Sequence, residues 1–154
     1  IVSTPRERAQ MVSLAISGYR KFRLEDYELK RKDVSCSYGT MEHFKELYPE
    51  DHFYFIIGAD SLFSIEQWVH VERLFPTCTI LAAYRDDKSS REVMGRQIRL
   101  LTGKYGADIR LLNTPLVDVS SHELRRMLRD KEDVGGLMPE AVVDYIHRNQ
   151  LYTS

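Results

Sequence analysis

Residues 53–60 read Phe-Tyr-Phe-Ile-Ile-Gly-Ala-Asp. The run is apolar, without polar alternation, until Gly58. It has the length of a strand and predicts one buried on both faces, as in a parallel sheet. Thr79–Tyr84 (TILAAY), closing on Arg85, repeats the pattern, and DIRLLNTP (108–115) predicts a further strand. Phe22, Leu24, Tyr27 and Leu29 give FRLEDYELK (22–30) a strand-like look as well. Helical periodicity fills the intervals. Thr4, Pro5 and Glu7 form a capping-box start, with Met11, Leu14 and Ala15 on one face and Gly18 as the stop. Tyr38, Met41, Phe44, Leu47 and Tyr48 recur at helical spacing, and Glu92–Tyr105 predicts another helix. One closing helix starts at Ser120-Ser121 and continues through Leu124, Met127 and Leu128. The last starts at Pro139 and carries Val142, Val143 and Ile146. Strands alternating with helices predict an α/β domain with a parallel sheet.

Composition narrows the function classes. The chain has 154 residues, the length of one domain, and 43% hydrophobic content supplies a packed core rather than a disordered chain. A net charge of −1 leaves no general electrostatic footprint for nucleic acid. The apolar stretches Phe53–Ala59 and Thr79–Tyr84 fall far short of the ~20 residues of a membrane span. Cys36 and Cys78 form neither a CxxC nor a zinc spacing and read as reduced thiols of an intracellular protein. His43, His52, His70, His122 and His147 make no HxxxH, HxH or HxGH pattern, so no metal site is expected from them. Gly103-Lys104 and Gly135-Gly136 make neither a Walker loop nor a GxGxxG. Ile1 is not a methionine and IVSTP is no signal peptide, so the chain reads as cut from something longer.

In a parallel sheet, ligands bind beyond the carboxyl ends of the strands. Four features there can carry chemistry, and each has a structural alternative. Gly58 permits close backbone approach, and Asp60 can accept hydrogen bonds from ribose hydroxyls or simply cap the next helix. Trp68, the single tryptophan, can stack on a planar ring or pack in the core. Arg85 can fork onto a phosphate or pair with Asp86 or Asp87. Ser120 and Ser121, with Arg125 one turn on, can hold polyphosphate at a helix N-terminus or form an ordinary cap.

Taken together, the chain resembles the bacterial nicotinate-nucleotide adenylyltransferases. The matching pieces, collinear over almost the whole length, are PRERAQMVSLAI, SCSYGTMEHF, FYFIIGADSLFSIEQW, TILAAYR, VSSHELRRML and PEAVVDYIHRNQLY. The family carries there an Arg-and-Met-bearing helix, SYTxxTL, GxD with a downstream Trp, a strand ending in Arg, ISSTxIR and YIxxxxLY. The resemblance implies a Rossmann-like nucleotidyltransferase fold, one domain over residues 1–154 that is N-terminally incomplete. It implies transfer of AMP from ATP to nicotinate mononucleotide, with release of pyrophosphate, in NAD biosynthesis. It assigns Ser37 and Thr40 to the pyridine carboxylate, Trp68 to the nicotinate ring and Arg85 to the mononucleotide phosphate. Gly58 and Asp60 go to the adenylate and its ribose, and Ser120, Ser121 and Arg125 to the triphosphate, with Arg125 in a supporting catalytic role. Mg²⁺ comes with ATP. The implied setting is cytoplasmic, with no nucleic acid or membrane partner and a homo-oligomer left open.

There are departures from the family pattern. Cys36 and Ser37 stand where the family has Tyr and Thr, and His122 where it has Thr. The family's opening strand, helix and second strand, with the GGTFDPIHxGH turn whose histidines contact ATP phosphates, have no counterpart here. The 154 residues alone are therefore expected to be inactive. Two other readings stand beside this one. One is a related nucleotidyltransferase with another acceptor, such as phosphopantetheine, against which Trp68 and SCSYGT argue. The other is a non-catalytic nucleotide-binding relative.

Overall fold

The structure is a computed structural model that describes residues 3–84, 88–115 and 119–153. The helices are α1 (Pro5–Ile16), α2 (Tyr27–Lys30), α3 (Ser37–Leu47), α4 (Ala59–Ser64), α5 (Val71–Leu74), α6 (Lys88–Tyr105), α7 (Ser121–Arg129) and α8 (Glu140–Arg148). The strands are β1 (Tyr54–Gly58), β2 (Thr79–Tyr84) and β3 (Ile109–Asn113), and single turns of 3₁₀ helix flank α5. The chain divides into two compact units. One comprises Asp33–Leu116; the other comprises Ile1–Lys32 and Val117–Ser154.

The unit Asp33–Leu116 holds the sheet, in the order β1-β2-β3 with both pairings parallel. Ile57 lies opposite Ala82, and Ala82 opposite Leu111. Because side chains alternate across a pleated strand, Phe55, Ile57, Ile80, Ala82, Tyr84, Ile109 and Leu111 share one face. That face meets the core. Leu62, Ile65 and Ile80 are fully buried, as are Leu101 and, nearly so, Met94 and Leu74. Each such side chain stabilises the fold by about 1.5–3 kcal/mol relative to exposure. On α6, Met94, Ile98, Leu101 and Tyr105 recur every three or four residues, which is why one helical face covers the sheet.

Two expectations are corrected here. β1 is not buried on both faces, since Tyr54 is 54% and Ile56 65% exposed. β1 is also an edge strand of the sheet among the described residues. FRLEDYELK is no strand. It runs irregularly to Asp26 and then turns through α2. Strand geometry is held by a hydrogen-bonded neighbour, and this segment has none in the sheet; Lys30 instead pairs with Asp26 at 2.8 Å. On α3 only Met41 is buried, and Leu47 and Tyr48 are exposed. The helix expected from Glu92 begins earlier, at Lys88.

A polar chain ties the amino ends of the strands. The Thr79 hydroxyl donates to Asp108 Oδ2 at 2.7 Å, and Arg110 donates two further bonds to the same carboxylate, at 3.0 and 3.2 Å. The single hydroxyl proton being spent, Thr79 Oγ1 accepts from His52 Nε2 at 2.9 Å, which places the imidazole proton on Nε2. The Arg110 and Thr79 hydrogen bonds hold the Asp108 carboxyl below the usual carboxylate range.

The other unit is helical. Thr4 and Glu7 form the expected capping box on α1: the Thr4 hydroxyl accepts from the Glu7 N–H, and the Glu7 carboxylate from the Thr4 N–H. Leu128, Val134, Val142, Ile146 and Leu151 make its core, with Met11, Leu14 and Ala15 of α1 packed on it. Ser3 and Tyr152 join the chain's two ends through hydroxyls 2.7 Å apart.

Candidate active site

Gly58, Asp60, Ser37, Thr40 and Trp68 all belong to the sheet-bearing unit. Gly58 ends β1 and forms the N-cap of α4 in extended backbone at φ −82°. That conformation suits any residue, and a Cβ added there would meet nothing within 4 Å. Neither strain nor internal crowding explains a glycine, so the space above it is open to approach from outside the chain. Asp60 sits in the first turn of α4 and is exposed. The N-cap position belongs to Gly58 rather than Asp60, and Asp60 lies in the first turn as its acidic residue.

Ser37 opens α3, and Thr40 lies one turn in. The N-cap residue Cys36 makes no side-chain cap bond, and the first turn holds no acidic residue. The N–H groups of Ser37, Tyr38 and Gly39 precede the first helical bond, from the Thr40 N–H to the Cys36 carbonyl. The start of α3 therefore carries the helix's positive end with no acidic residue in its first turn. Cys36 and Cys78 are both free thiols, and burial pushes the Cys78 thiol upward.

Trp68 follows a 3₁₀ turn that ends at Gln67. Its half-buried ring stands edge-on to Phe55 of β1, with centroids 6.1 Å apart, at the margin of the main core. Packing thus claims one part of the ring and leaves another accessible. Two residues on, His70 adopts a left-handed backbone at φ +50° and meets Tyr38 edge-on at 5.2 Å. Arg73 lies 4.6 Å from the centroid of the same Tyr38 ring and forks onto Glu42, at 2.6 and 2.9 Å. These contacts bring the start of α3 to the turn after Trp68. In the sequence Tyr38 marks only helical spacing and His70 belongs to no metal pattern, while Glu42 and Arg73 belong to no motif. Tyr38 and Glu42 share a helical face at i, i+4, but nothing in the spacing indicates that Arg73 lies across from them.

Ser120, Ser121 and Arg125 belong to the other unit. Ser120 is the N-cap of α7, its hydroxyl accepting from the Glu123 N–H at 3.1 Å, so it is a cap in fact. The Leu124 N–H bonds to the Ser120 carbonyl, which leaves the N–H groups of Ser121 and His122 directed out of the helix. Arg126 is held by three carboxylates: Glu123 at 2.6 Å, Asp130 at 3.0 Å and Glu132 at 2.6 Å. Its hydrogen bonds keep the Glu123 carboxyl below the usual range, so Glu123 is ionised and neutralised in place. Arg125 is exposed and engages none of the carboxylates paired among the described residues. Arg85 and its alternative partners Asp86 and Asp87 lie outside the described residues. Among the described residues no three His, Cys, Asp or Glu side chains converge as metal ligands, and no helix is long and apolar enough to cross a membrane.

Comparisons with known proteins bear on the family and the fold. Residues 2–127 match the cytidylyltransferase-like family. A probable nicotinate-nucleotide adenylyltransferase of Clostridium botulinum (strain Loch Maree / Type A3) is 34% identical over 145 residues, covering 94% of this chain and 72% of the relative. Its counterpart in Clostridium acetobutylicum is 35% identical over the same shares. Among solved structures, Plasmodium falciparum nicotinic acid mononucleotide adenylyltransferase complexed with APC superposes with a TM-score of 0.74 at 23% identity, over 98% of this chain and 77% of that one. The same enzyme complexed with NaAD gives 0.75 at 22%, over 99% and 76%. The structural likeness establishes a Rossmann-like nucleotidyltransferase fold. With it and the sequence relatives together, the chain belongs to the cytidylyltransferase-like family and, within it, to the nicotinate-nucleotide adenylyltransferases.

Proposed function

We infer that this protein transfers AMP from ATP to nicotinate mononucleotide, yielding nicotinate adenine dinucleotide and pyrophosphate. The observation that carries the choice of acceptor is the start of α3. A helix N-terminus with free N–H groups, no side-chain cap and no acidic residue in its first turn suits a pyridine carboxylate. The Ser37 and Thr40 hydroxyls are on the same turn, and Trp68 offers the open part of its ring to the pyridine. A neutral carboxamide would gain less from that helix end, which favours the acid over the amide.

Arg85 is assigned to the mononucleotide phosphate. Gly58 admits the adenylate and Asp60 accepts from its ribose. The Ser121 and His122 N–H groups, the Ser120 and Ser121 hydroxyls and Arg125 take the distal phosphates of ATP. In the reaction, an oxygen of the mononucleotide phosphate attacks the α-phosphorus. The bond to the α,β-bridging oxygen breaks, and its electron pair leaves with pyrophosphate. The nucleophile is already ionised, so no side chain must remove a proton. The protein's work is alignment and stabilisation of charge on the phosphates, to which Arg125 contributes. Magnesium is read as part of the substrate, carried on the triphosphate, where it offsets phosphate charge; Mg²⁺ is ordinarily held by substrate phosphates and one or two carboxylates. A cytoplasmic setting and small-molecule rather than nucleic-acid substrates go with this reading.

The test is pyrophosphate release from ATP by the protein expressed from its own full reading frame. Nicotinate mononucleotide, nicotinamide mononucleotide and phosphopantetheine are supplied in turn as acceptors. Turnover highest with nicotinate mononucleotide is expected. Preference for phosphopantetheine, or no turnover with any acceptor, would overturn the assignment.

A further inference from the structure

A groove is lined by residues of α6 and β3. It is open to solvent, has a volume of about 360 Å³ and is lined, among the described residues, by Arg91, Glu92, Gly95, Arg99 and Leu111, within the size range of small-molecule sites. Arg91, Gly95 and Arg99 recur at i, i+4 and i+8, so they form one stripe along the helix. Met94, Ile98 and Leu101 turn the neighbouring face into the core, which fixes how the stripe is presented.

Gly95 makes the floor. A Cβ placed there would lie 3.5 Å from Arg99 Nη1, so the Arg99 guanidinium folds back along the helix toward Arg91. Extended side chains at i and i+8 would be about 12 Å apart along the axis, and the fold-back shortens that span. Neither guanidinium takes part in an ion pair among the described residues, although both are exposed and eight other basic side chains among those residues do. Two unpaired forks facing one cavity suit a dianionic phosphate, which accepts two hydrogen bonds from each. Leu111 supplies an apolar wall, and Glu92 a carboxylate that accepts from hydroxyls.

We propose that this groove binds a small phosphate monoester bearing hydroxyl groups, through residues other than those assigned to the substrate phosphates. Arg91 and Arg99 hold the phosphate, Glu92 accepts from a hydroxyl and Leu111 packs against the carbon skeleton.

The test is calorimetric titration of the chain with glycerol 3-phosphate, inorganic phosphate and glycerol. Wild type should bind glycerol 3-phosphate saturably and more tightly than inorganic phosphate, and glycerol not at all. Arg91→Gln combined with Arg99→Gln should weaken binding at least tenfold. Gly95→Leu, which fills the floor with a better helix former, should abolish it while thermal melting shows the fold retained. Affinity for ATP should be unchanged in both variants. Absence of saturable binding overturns the proposal, as does binding that survives the double substitution or Gly95→Leu. Equal affinity for inorganic phosphate overturns the ester, and displacement by ATP assigns the anion to the substrate site instead.

Discussion

Arg125 and Arg126 are adjacent, identical in type and on the same helix, yet the structure gives them different tasks. Arg126 is bound by Glu123, Asp130 and Glu132, and so fastens the end of α7 to the turn that follows. Among the described residues Arg125 has no carboxylate partner, so Arg125→Ala removes no ion pair of that set. If Arg125 grips ATP, the loss is one or more charge-assisted hydrogen bonds, each about 1.5–3 kcal/mol. At 1.4 kcal/mol per decade, ATP affinity should fall about tenfold to a hundredfold. Arg126→Ala should lower the melting temperature, because three carboxylates lose their shared cation. Calorimetric titration with ATP and thermal melting of both variants, in the protein that binds ATP as wild type, separate the two. The reasoning fails if Arg125→Ala keeps wild-type ATP affinity with the fold intact. It fails equally if Arg125→Ala and Arg126→Ala lower the melting temperature alike.

Gly58→Ala should leave the melting temperature near wild type, since its Cβ meets no atom of the chain, while weakening ATP binding; equal binding would remove the ligand from that strand end. Trp68→Ala should weaken mononucleotide binding by about 0.5–1.5 kcal/mol beyond area burial and spare ATP; equal losses for both substrates, read by titration, would return the ring to pure packing against Phe55. Asp108 gives a pH dependence with a defined sign. Its folded pKa lies below the unfolded one, so its stabilisation is present above the unfolded value and is lost as pH falls through the folded value. Thr79→Val removes one of the hydrogen bonds behind that shift, so melting temperature against pH should fall less steeply on acidification than in wild type; an unchanged slope would refute the assignment.

What was legible in the sequence is what neighbours along the chain decide. The Thr4–Glu7 capping box needs only residues three apart, and it formed as read. The same holds for the Ser120 cap on α7 and for the helix read over Glu92–Tyr105, which starts at Lys88. β2 is legible because it lies between β1 and β3 and none of its residues is exposed, as its apolar run predicts. The motif order from GAD to VSS pointed to the family, because ligand-binding segments at strand ends keep their local chemistry. Tertiary structure decided whatever depends on who stands across. FRLEDYELK has strand-like composition but no neighbouring strand to bond, and Ile56 is apolar but faces no second layer. The contacts of Tyr38 with His70 and Arg73, and the chain from His52 through Thr79 to Asp108, join residues that are distant along the chain. The division of labour between Arg125 and Arg126 has the same origin. Composition and spacing state what a side chain can do, and only the fold sets which partner it meets, because that is fixed by backbone geometry summed over many intervening residues.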